Sequence, residues 1–345
     1  MNTVQMVTAE KILKAQAPEE LFSFDSAAVK RQYHDMSKVW HPDLNGHKDA
    51  HVIFQRINFF YKEALKKIEA GVWEVEGMLT FRDAKGVLCS FSFQTKKSFE
   101  LGVMYIGSHH VTYLIDPEHK DLFNAAVKAC SDFRYGSKRM EDDIARCLPK
   151  DKSTFITADG KLGMQYVKTP DLLLLKDVIA HLGTNLNGRH IGWILNSMYN
   201  ICCYFRYAGI THNDVSMDTY FISPKFHCGA LLGGWWYSKQ VESKLQKVPL
   251  RTFKLLPWEV QTKKIALHST DLELVRAVGR EIVELASTKG KGKYEVPAQM
   301  MLWFSGASSD QAVDEYKNWT EALKEAFGPK KFINMDVAES DLYTK

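Results

Sequence analysis

The stretch FDSAAVKRQYHDMSKVWHPDLNG, residues 24–46, determines how the N-terminal part of the chain folds. Asp25 is a residue type that caps helix N-termini, and the apolar residues after it recur three and four positions apart, at Val29, Tyr33, Met36 and Trp40. The tripeptide His41-Pro42-Asp43 then ends the helix, because proline cannot continue it. A second apolar face follows, formed by Phe54, Ile57, Tyr61, Leu65 and Ile68. Two such helices joined by a short polar loop predict an antiparallel helical hairpin.

This arrangement resembles the J domain of DnaJ-type co-chaperones, over roughly residues 5–70. The resemblance implies that the domain binds a DnaK-type chaperone and accelerates its ATP hydrolysis. It also implies the partner-binding residues, which are His41, Pro42 and Asp43 in the loop and Lys30, Arg31 and Lys38 on the preceding helix. The chain departs from the family after Tyr33, where J domains carry a basic pair and this sequence has His34 and Asp35. We therefore expect weaker or more selective binding than a strongly basic J domain shows.

The residue pattern changes after Gly71. Alternating apolar and polar residues with turn signals predict strands from Val72 onward. Helical periodicity returns at Leu122 and dominates from Leu172, and the run STKGKGKYEV at residues 287–296 predicts an exposed loop. The sequence therefore predicts an α+β protein in three segments: a helical J domain at 1–71, a β-rich region at 72–170 and a helical region at 171–345.

A second informative stretch is ITHNDVSMDTYFIS, residues 210–223, in which His212 and Asp214 precede an apolar strand. A predicted helix at 193–208 leads directly into this stretch. The segment LPWEV at residues 256–260 and a helix carrying Asp271 follow it. The order of these parts resembles that of a protein kinase, over roughly residues 100–290. The resemblance implies two lobes, with a β-rich small lobe within 72–170 and a helical large lobe within 171–345.

Two residue types that phosphoryl transfer requires are missing from this kinase-like region. Kinases hold their metal ions with an Asn five residues after the catalytic Asp and with a second Asp after the next strand. Here these positions hold Thr219 and either Gly233 or Gly234. The resemblance leaves four remnant catalytic residues, which are His212, Asp214, Lys128 and Glu141. Lys128 would contact the phosphates from a strand, although its run AAVKAC fits a helix face better.

We therefore interpret this region as a pseudokinase, with no metal site and no resident cofactor. ATP and magnesium are the ligands that an active enzyme would need. Trp235, Trp236 and Tyr237 follow the missing carboxylate, and we expect these aromatic side chains to fill the space that a nucleotide would take. A J domain followed by a kinase-like region with the run GGWWYS also resembles certain bacteriophage-encoded proteins.

Composition argues against several other classes of protein. A net charge of +4 on 345 residues is too small to indicate a nucleic-acid partner. The six cysteines form no Cys-x-x-Cys pair, so we expect reduced thiols. The first residues lack a signal-peptide pattern, and the longest uncharged stretch, 191–205, is shorter than the roughly 20 residues of a membrane span. We expect a cytoplasmic protein with no membrane partner, in the host cytoplasm if a virus encodes it.

Three functions remain open from the sequence. The leading hypothesis is a co-chaperone whose J domain engages a DnaK-type chaperone while residues 72–345 bind an unknown client or partner protein. The alternative from the enzyme class is an active protein kinase with an atypical metal site, which would rest on Asp214 as base. The third is a structural component of a virion or another assembly, in which neither motif is active.

Overall fold

The computed structural model describes residues 7–288 and 296–343. Residues 1–6 and 344–345, and most of the loop predicted at 287–296, lie outside the described residues. The chain is a mixed α+β protein, as predicted, and forms two compact units. Unit 1 contains the chain through Lys97 together with Thr154–Gly163, and unit 2 contains Ser98–Ser153 together with the chain from Met164 onward.

Unit 1 begins with three helices, which are α1 (Ala9–Lys14), α2 (Ser26–Trp40) and α3 (Ala50–Ala70). The carboxylate of Asp25 accepts a hydrogen bond of 2.6 Å from the backbone N–H of Ala28, so the predicted N-cap of α2 is confirmed. Helix α3 ends at Gly71, whose φ of 71° is left-handed and suits a residue without a Cβ. The two predicted helices and the loop between them are therefore present.

The helices of unit 1 are held by an apolar core and by one polar contact within it. Val29 and Met36 of α2 are buried against a face of α3 formed by Ile53, Ile57, Phe60 and Ala64. Tyr33 stacks on Tyr61 with ring centroids 4.0 Å apart, and its hydroxyl donates to Oδ1 of Asn58 at 2.6 Å. The predicted apolar face of α2 is confirmed. On α3, the most deeply buried residues lie on a face that is rotated slightly from the predicted apolar face.

A three-stranded sheet completes unit 1, with the order β1 (Val72–Val75), β2 (Met78–Arg82) and β3 (Leu88–Ser92). Trp73 of β1 is buried in the helical core and stacks on Phe24 at a centroid distance of 5.5 Å. The compact unit therefore extends past the predicted boundary at residue 71, because the first residues of the sheet supply part of the helical core.

Five strands form a second sheet in the order β4-β5-β6-β8-β7, with β4 (Thr95–Phe99), β5 (Gly102–Ile106), β6 (His110–Ile115), β7 (Lys150–Ile156) and β8 (Leu162–Val167). Strands β5 and β6 are antiparallel, with Met104 opposite Tyr113. Between β6 and β7 the chain forms α4 (Lys120–Ala129) and α5 (Lys138–Ile144). Residues 98–153 share one compact unit with the helical region, so the predicted division at 170/171 does not separate compact units.

The rest of unit 2 alternates short strands with helices. The strands are β9 (Leu173–Leu174), β10 (Ile210–Thr211), β11 (Tyr220–Ser223), β12 (Cys228–Leu231) and β13 (Lys239–Gln240), and they pair as β12-β11-β9 and β10-β13. The helices are α6 (Leu175–Leu182), α7 (Gly188–Ala208), α8 (Leu250–Leu255), α9 (Trp258–Lys263), α10 (His268–Thr288), α11 (Ala298–Ser305), α12 (Ala312–Phe327) and α13 (Glu339–Leu342). Helix α7 ends at Gly209, as predicted.

Helix α10 lies in the interior of unit 2 and carries a buried ion pair. Nε of Arg276 lies 2.6 Å from Oε1 of Glu315 on α12, and the two side chains are 5% and 1% exposed. The Arg276 guanidinium also lies over the ring of Trp303, 3.8 Å from its centroid. Because two buried charges are tolerated only when they are paired, this contact fixes α10 against α11 and α12.

Two further predictions can be compared with the structure. None of the helices in the described ranges is long and apolar enough to cross a membrane. All six cysteines fall within the described ranges, and each is a free thiol. Their redox state in the cell stays a prediction.

Removing one charge of the buried pair should destabilise the protein strongly. We expect Glu315→Gln to lower the free energy of unfolding by about 3–5 kcal/mol, because Arg276 stays buried without its counter-charge. The matched control is Glu281→Gln, which breaks the pair between Arg251 and Glu281, whose side chains are 26% and 31% exposed. That change should cost about 1 kcal/mol or less. Equal losses in urea unfolding of the two variants would contradict the expectation.

Candidate functional site

The turn between α2 and α3 presents the tripeptide at the surface in a hydrogen-bonded conformation. The backbone N–H groups of Leu44 and Asn45 donate to the carbonyl oxygen of His41, at 3.0 and 2.9 Å. The side-chain amide of Asn45 donates to a carbonyl in the last turn of α2 at 2.7 Å, which satisfies one acceptor left free at the helix end. Pro42 prevents the helix from continuing. The loop therefore has a defined shape without a bound partner.

His41 positions Asp43 within this loop. The ring of His41 packs edge-on to Phe54 of α3 at a centroid distance of 5.3 Å, which anchors it to the second helix. Its Nδ1 accepts a hydrogen bond of 3.3 Å from the backbone N–H of Asp43. The side chain of His41 is 41% exposed and that of Asp43 is 85% exposed. A partner can therefore reach the carboxylate directly, at a position that the histidine helps to set.

The solvent face of α2 carries a modest excess of positive charge. Lys30, Arg31 and Lys38 are exposed, and within the part of the chain that the structure describes they form no ion pair. His34 and Asp35 are exposed on the same helix. The three cations and one carboxylate together leave a weakly basic surface next to the loop, as the sequence predicts.

The loop between β10 and β11, residues 212–219, is fixed by a buried carboxylate. The two oxygens of Asp271, on α10, accept hydrogen bonds from the backbone N–H groups of His212 and Asn213, at 2.8 and 2.7 Å. Asn213 has a φ of 64°, which is unfavourable for a residue with a Cβ. Its side-chain amide donates to the carbonyl oxygen of Tyr237 at 2.9 Å. Burial raises the pKa of Asp271 to about 7, and the two backbone hydrogen bonds oppose that rise.

His212 is buried and packed within the loop region. Its Nε2 donates to the carbonyl oxygen of Gly233 at 3.0 Å, and its Nδ1 accepts from the backbone N–H of Asp214 at 3.2 Å. The ring lies edge-on to Trp235 at a centroid distance of 4.8 Å. Burial lowers the pKa of His212 to about 3, so the imidazole is neutral near pH 7. It connects the loop to the residues that follow β12.

The hydroxyl of Thr219 is used inside the loop. It donates to the carbonyl oxygen of Asp214 at 2.7 Å and accepts from the backbone N–H of Ser216 at 3.0 Å. Burial raises the pKa of Asp214 well above its usual value, with the Arg251 guanidinium opposing the shift and the Glu100 carboxylate adding to it. The hydroxyl of Thr219 is therefore already engaged within the loop, and burial disfavours the charged form of Asp214.

Gly233 follows β12, and the hydroxyl of Tyr113 fills the space beside it. A Cβ on Gly233 would lie only 2.7 Å from the hydroxyl oxygen of Tyr113 and 3.2 Å from Cα of Thr219. Tyr113 is buried, and its hydroxyl has no hydrogen-bond partner among the described residues. Burial raises the pKa of this phenol, with Asp214 adding to the shift. The tyrosine hydroxyl therefore takes the place of a side chain at residue 233.

The aromatic run after Gly234 is buried, as predicted. Trp235, Trp236 and Tyr237 form a single 3-10 turn, which follows the left-handed φ of 80° at Gly234. Trp236 stacks on Phe99 of β4 at a centroid distance of 5.3 Å and lies edge-on to Tyr113 at 5.0 Å. These rings close the space beside Gly233, and exclusion of a nucleotide from it stays a prediction.

Lys128 and Glu141 are not brought together at this site. Lys128 lies on α4 and is exposed, so its assignment to a strand is wrong. The buried face of α4 is formed by Leu122, Phe123 and Ala126, and Lys128 lies off that face. Glu141 lies on α5, where its carboxylate is 3.1 Å from Nζ of Lys138. The structure therefore leaves His212 and Asp214, but not Lys128 and Glu141, at the loop.

Two residues of this region were not predicted from the sequence. Tyr113 lies in an apolar alternation that indicates burial, but its contact with Gly233 depends on the position of β6 in the sheet. Arg251 belongs to no motif in the sequence, yet its Nη1 donates to the carbonyl oxygen of Val215 at 2.9 Å while it also pairs with Glu281. Both residues contact the loop region through tertiary structure, for which local sequence carries no signal.

Comparison with protein-family models and with curated proteins finds no match for this chain. Within the described residues there is also no group of three or more His, Cys, Asp or Glu side chains placed to hold a metal ion.

The packing of Tyr113 against Gly233 can be tested by stability measurements. We expect Gly233→Asp to lower the free energy of unfolding by about 1–3 kcal/mol, because the new Cβ overlaps the tyrosine hydroxyl. Adding Tyr113→Phe should recover part of that loss. Tyr113→Phe alone should be neutral or stabilising, since the hydroxyl has no partner to lose. A double variant no more stable than Gly233→Asp in urea unfolding would show that the hydroxyl does not occupy this space.

Proposed function

We propose that the chain is a co-chaperone whose residues 1–71 recruit a DnaK-type chaperone and stimulate its ATPase. The observation that supports the proposal is the His41-Pro42-Asp43 turn, which is held between α2 and α3 and exposes the Asp43 carboxylate. The resemblance to J domains supplies the partner class. A cytoplasmic location belongs to the same proposal and agrees with the six free thiols.

The geometry suits recognition of an acidic partner surface. The loop is shaped by its own hydrogen bonds and by the contact of His41 with Phe54, so little conformational entropy is lost on binding. Lys30, Arg31 and Lys38 are free to interact with acidic groups, which speeds association and orients the complex. Because Asp35 lies among them, this attraction is weaker than a continuous basic face would give.

Substitution of His41 should abolish the stimulation without unfolding the protein. We expect the full chain to raise the ATP hydrolysis rate of a DnaK-type chaperone severalfold, and His41→Gln to bring the rate back to the chaperone's basal value. The reason is that glutamine cannot reproduce both the ring contact with Phe54 and the acceptor that positions Asp43. Steady-state ATPase assays measure the effect.

The same loop offers a matched control. His47 is also 41% exposed, and its Nδ1 likewise accepts a backbone N–H, that of Asp49, at 3.1 Å. His47→Gln should keep most of the stimulation, because it leaves the tripeptide unchanged. Absence of stimulation by the unmodified chain, or equal loss in both variants with unchanged circular dichroism, would refute the proposed role of the tripeptide.

We further propose that residues 72–345 form a kinase-like fold of two lobes, which has lost phosphoryl transfer and binds a client or partner protein. The proposal is supported by the contacts of Asp271 with His212 and Asn213, because the resemblance places a buried Asp on the helix after LPWEV. It is also supported by β12, the short strand that precedes Gly233. A loop can keep its backbone structure after its catalytic residues are lost, because a fold does not determine a function.

The residues of the loop disfavour the active-kinase alternative. Thr219 and Gly233 stand where metal ligands are needed, and the Thr219 hydroxyl is already engaged within the loop. Tyr113 and Trp236 occupy the space beside Gly233. These observations concern two separate requirements of the reaction, namely metal binding and space for the nucleotide.

Nucleotide should not stabilise the protein. We expect the melting temperature of the full chain to stay unchanged with Mg-ATP, because the aromatic side chains close the space beside the loop. A ligand at 100 times its dissociation constant would instead add about 2.7 kcal/mol, which thermal-shift measurements detect. The assay includes a nucleotide-binding kinase as a positive control.

The opposite result would favour the enzyme. If Mg-ATP raises the melting temperature and the chain transfers phosphate to a protein substrate, Asp214→Asn distinguishes catalysis from binding alone. Phosphate transfer that this variant abolishes would overturn the pseudokinase proposal. The co-chaperone proposal for residues 1–71 would be unaffected, since its ATPase assay measures a different protein's activity.

A further inference from the structure

A pocket of about 630 Å³ in unit 2 lies beside β10, the strand that leads into the loop at 212–219, and neither proposed function uses it. It is formed by the end of α4 and the residues after it, the end of α7, and the strands β10 and β13. Pockets of this size are typical of sites for small ligands or single side chains of a partner.

Positive charge dominates the lining of this pocket. Lys128 of α4, Arg134 of the following loop and Lys239 of β13 approach it from three separate elements. Within the described ranges none of the three side chains forms an ion pair. Asp132 is the single carboxylate in the lining. Three unpaired cations around one concave surface favour a ligand with negative charge.

The remaining residues of the pocket lining indicate which uncharged groups the ligand would carry. Phe133 and Tyr207 line it and offer aromatic faces beside the cations. Ser238 also lines it and is 8% exposed, and its hydroxyl has no hydrogen-bond partner among the described residues. Buried hydroxyl groups are nearly always paired, so an unpaired one at a pocket wall points to a polar group that arrives with a ligand.

We propose that this pocket binds a phosphate monoester that carries an aromatic ring. The phosphate would be held by Lys128, Arg134 and Lys239, because guanidinium and ammonium groups form strong charge-assisted hydrogen bonds with phosphate oxygens. The ring would pack on Phe133 and Tyr207, and the Ser238 hydroxyl would donate to an oxygen of the ligand. Phosphotyrosine has this chemistry, and adenosine monophosphate, whose phosphate is attached to a ribose away from the ring, serves as the comparison.

Isothermal titration of the full chain tests the proposal with four probes: O-phospho-L-tyrosine, adenosine monophosphate, inorganic phosphate and L-tyrosine. We expect O-phospho-L-tyrosine to bind at least about tenfold more tightly than each of the other three probes. Lys239→Gln should weaken binding of that probe about tenfold.

Two further variants separate binding from folding. Lys247→Gln makes the same change in net charge at an exposed lysine outside the pocket lining, so it should leave the affinity nearly unchanged. Ser238→Ala should weaken binding severalfold while leaving the melting temperature of the free protein unchanged or higher, because the hydroxyl has no partner to lose.

Three results would overturn the proposal. The first is no heat of binding for any probe at up to about 10 mM. The second is equal affinity for inorganic phosphate and the aromatic phosphates, which would leave the aromatic walls without a role. The third is an equal loss of affinity in Lys239→Gln and Lys247→Gln, which would indicate general attraction to a cationic protein instead of a built site.

Discussion

The carboxylate of Asp271 determines the conformation of the loop at 212–219, and the second half of the structure is organised around it. Its two oxygens satisfy consecutive backbone N–H groups that lie too deep to bond to water. Each donor left unpaired there would cost about 1–3 kcal/mol. Helix α10, which carries Asp271, is itself fixed by the buried pair of Arg276 and Glu315. The anchor is therefore rigid, and it can hold Asn213 at an unfavourable φ.

The rest of the loop is held by hydrogen bonds from side chains to backbone carbonyl oxygens. His212 bonds to the carbonyl oxygen of Gly233, and Thr219 bonds to the carbonyl oxygen of Asp214. None of these contacts needs a carboxylate at residue 233 or an amide at residue 219. The loop therefore keeps its shape through hydrogen bonds to backbone carbonyl groups. The hydroxyl of Tyr113 and the ring of Trp236 fill the space beside Gly233, which gives a close-packed interior.

Features that depend on neighbouring residues could be predicted from the sequence. The Asp25 cap, the apolar face of α2 and the end of α7 at Gly209 follow from spacing within one or two helical turns. Contacts between distant segments could not be predicted. Trp73 joins the helical core of unit 1 because β1 follows α3 directly, and Tyr113 meets Gly233 only through the position of β6 in its sheet. Periodicity favoured a helix for Lys128, and the kinase resemblance, which requires a strand, was misleading there.

His41 and His212, the histidines of the two motifs, differ in whether a partner could reach them. His212 is buried among aromatic rings, and with a pKa lowered to about 3 it stays neutral across the physiological range. Its two ring nitrogens are both engaged by the backbone, so it cannot exchange partners. His41 is partly exposed, contacts one ring, and lies beside a carboxylate that faces solvent. A group can contribute to recognition only if a partner can reach it, whereas a group with every contact satisfied internally contributes to folding. His41 is therefore accessible to a partner, whereas His212 contributes to the structure of its own loop.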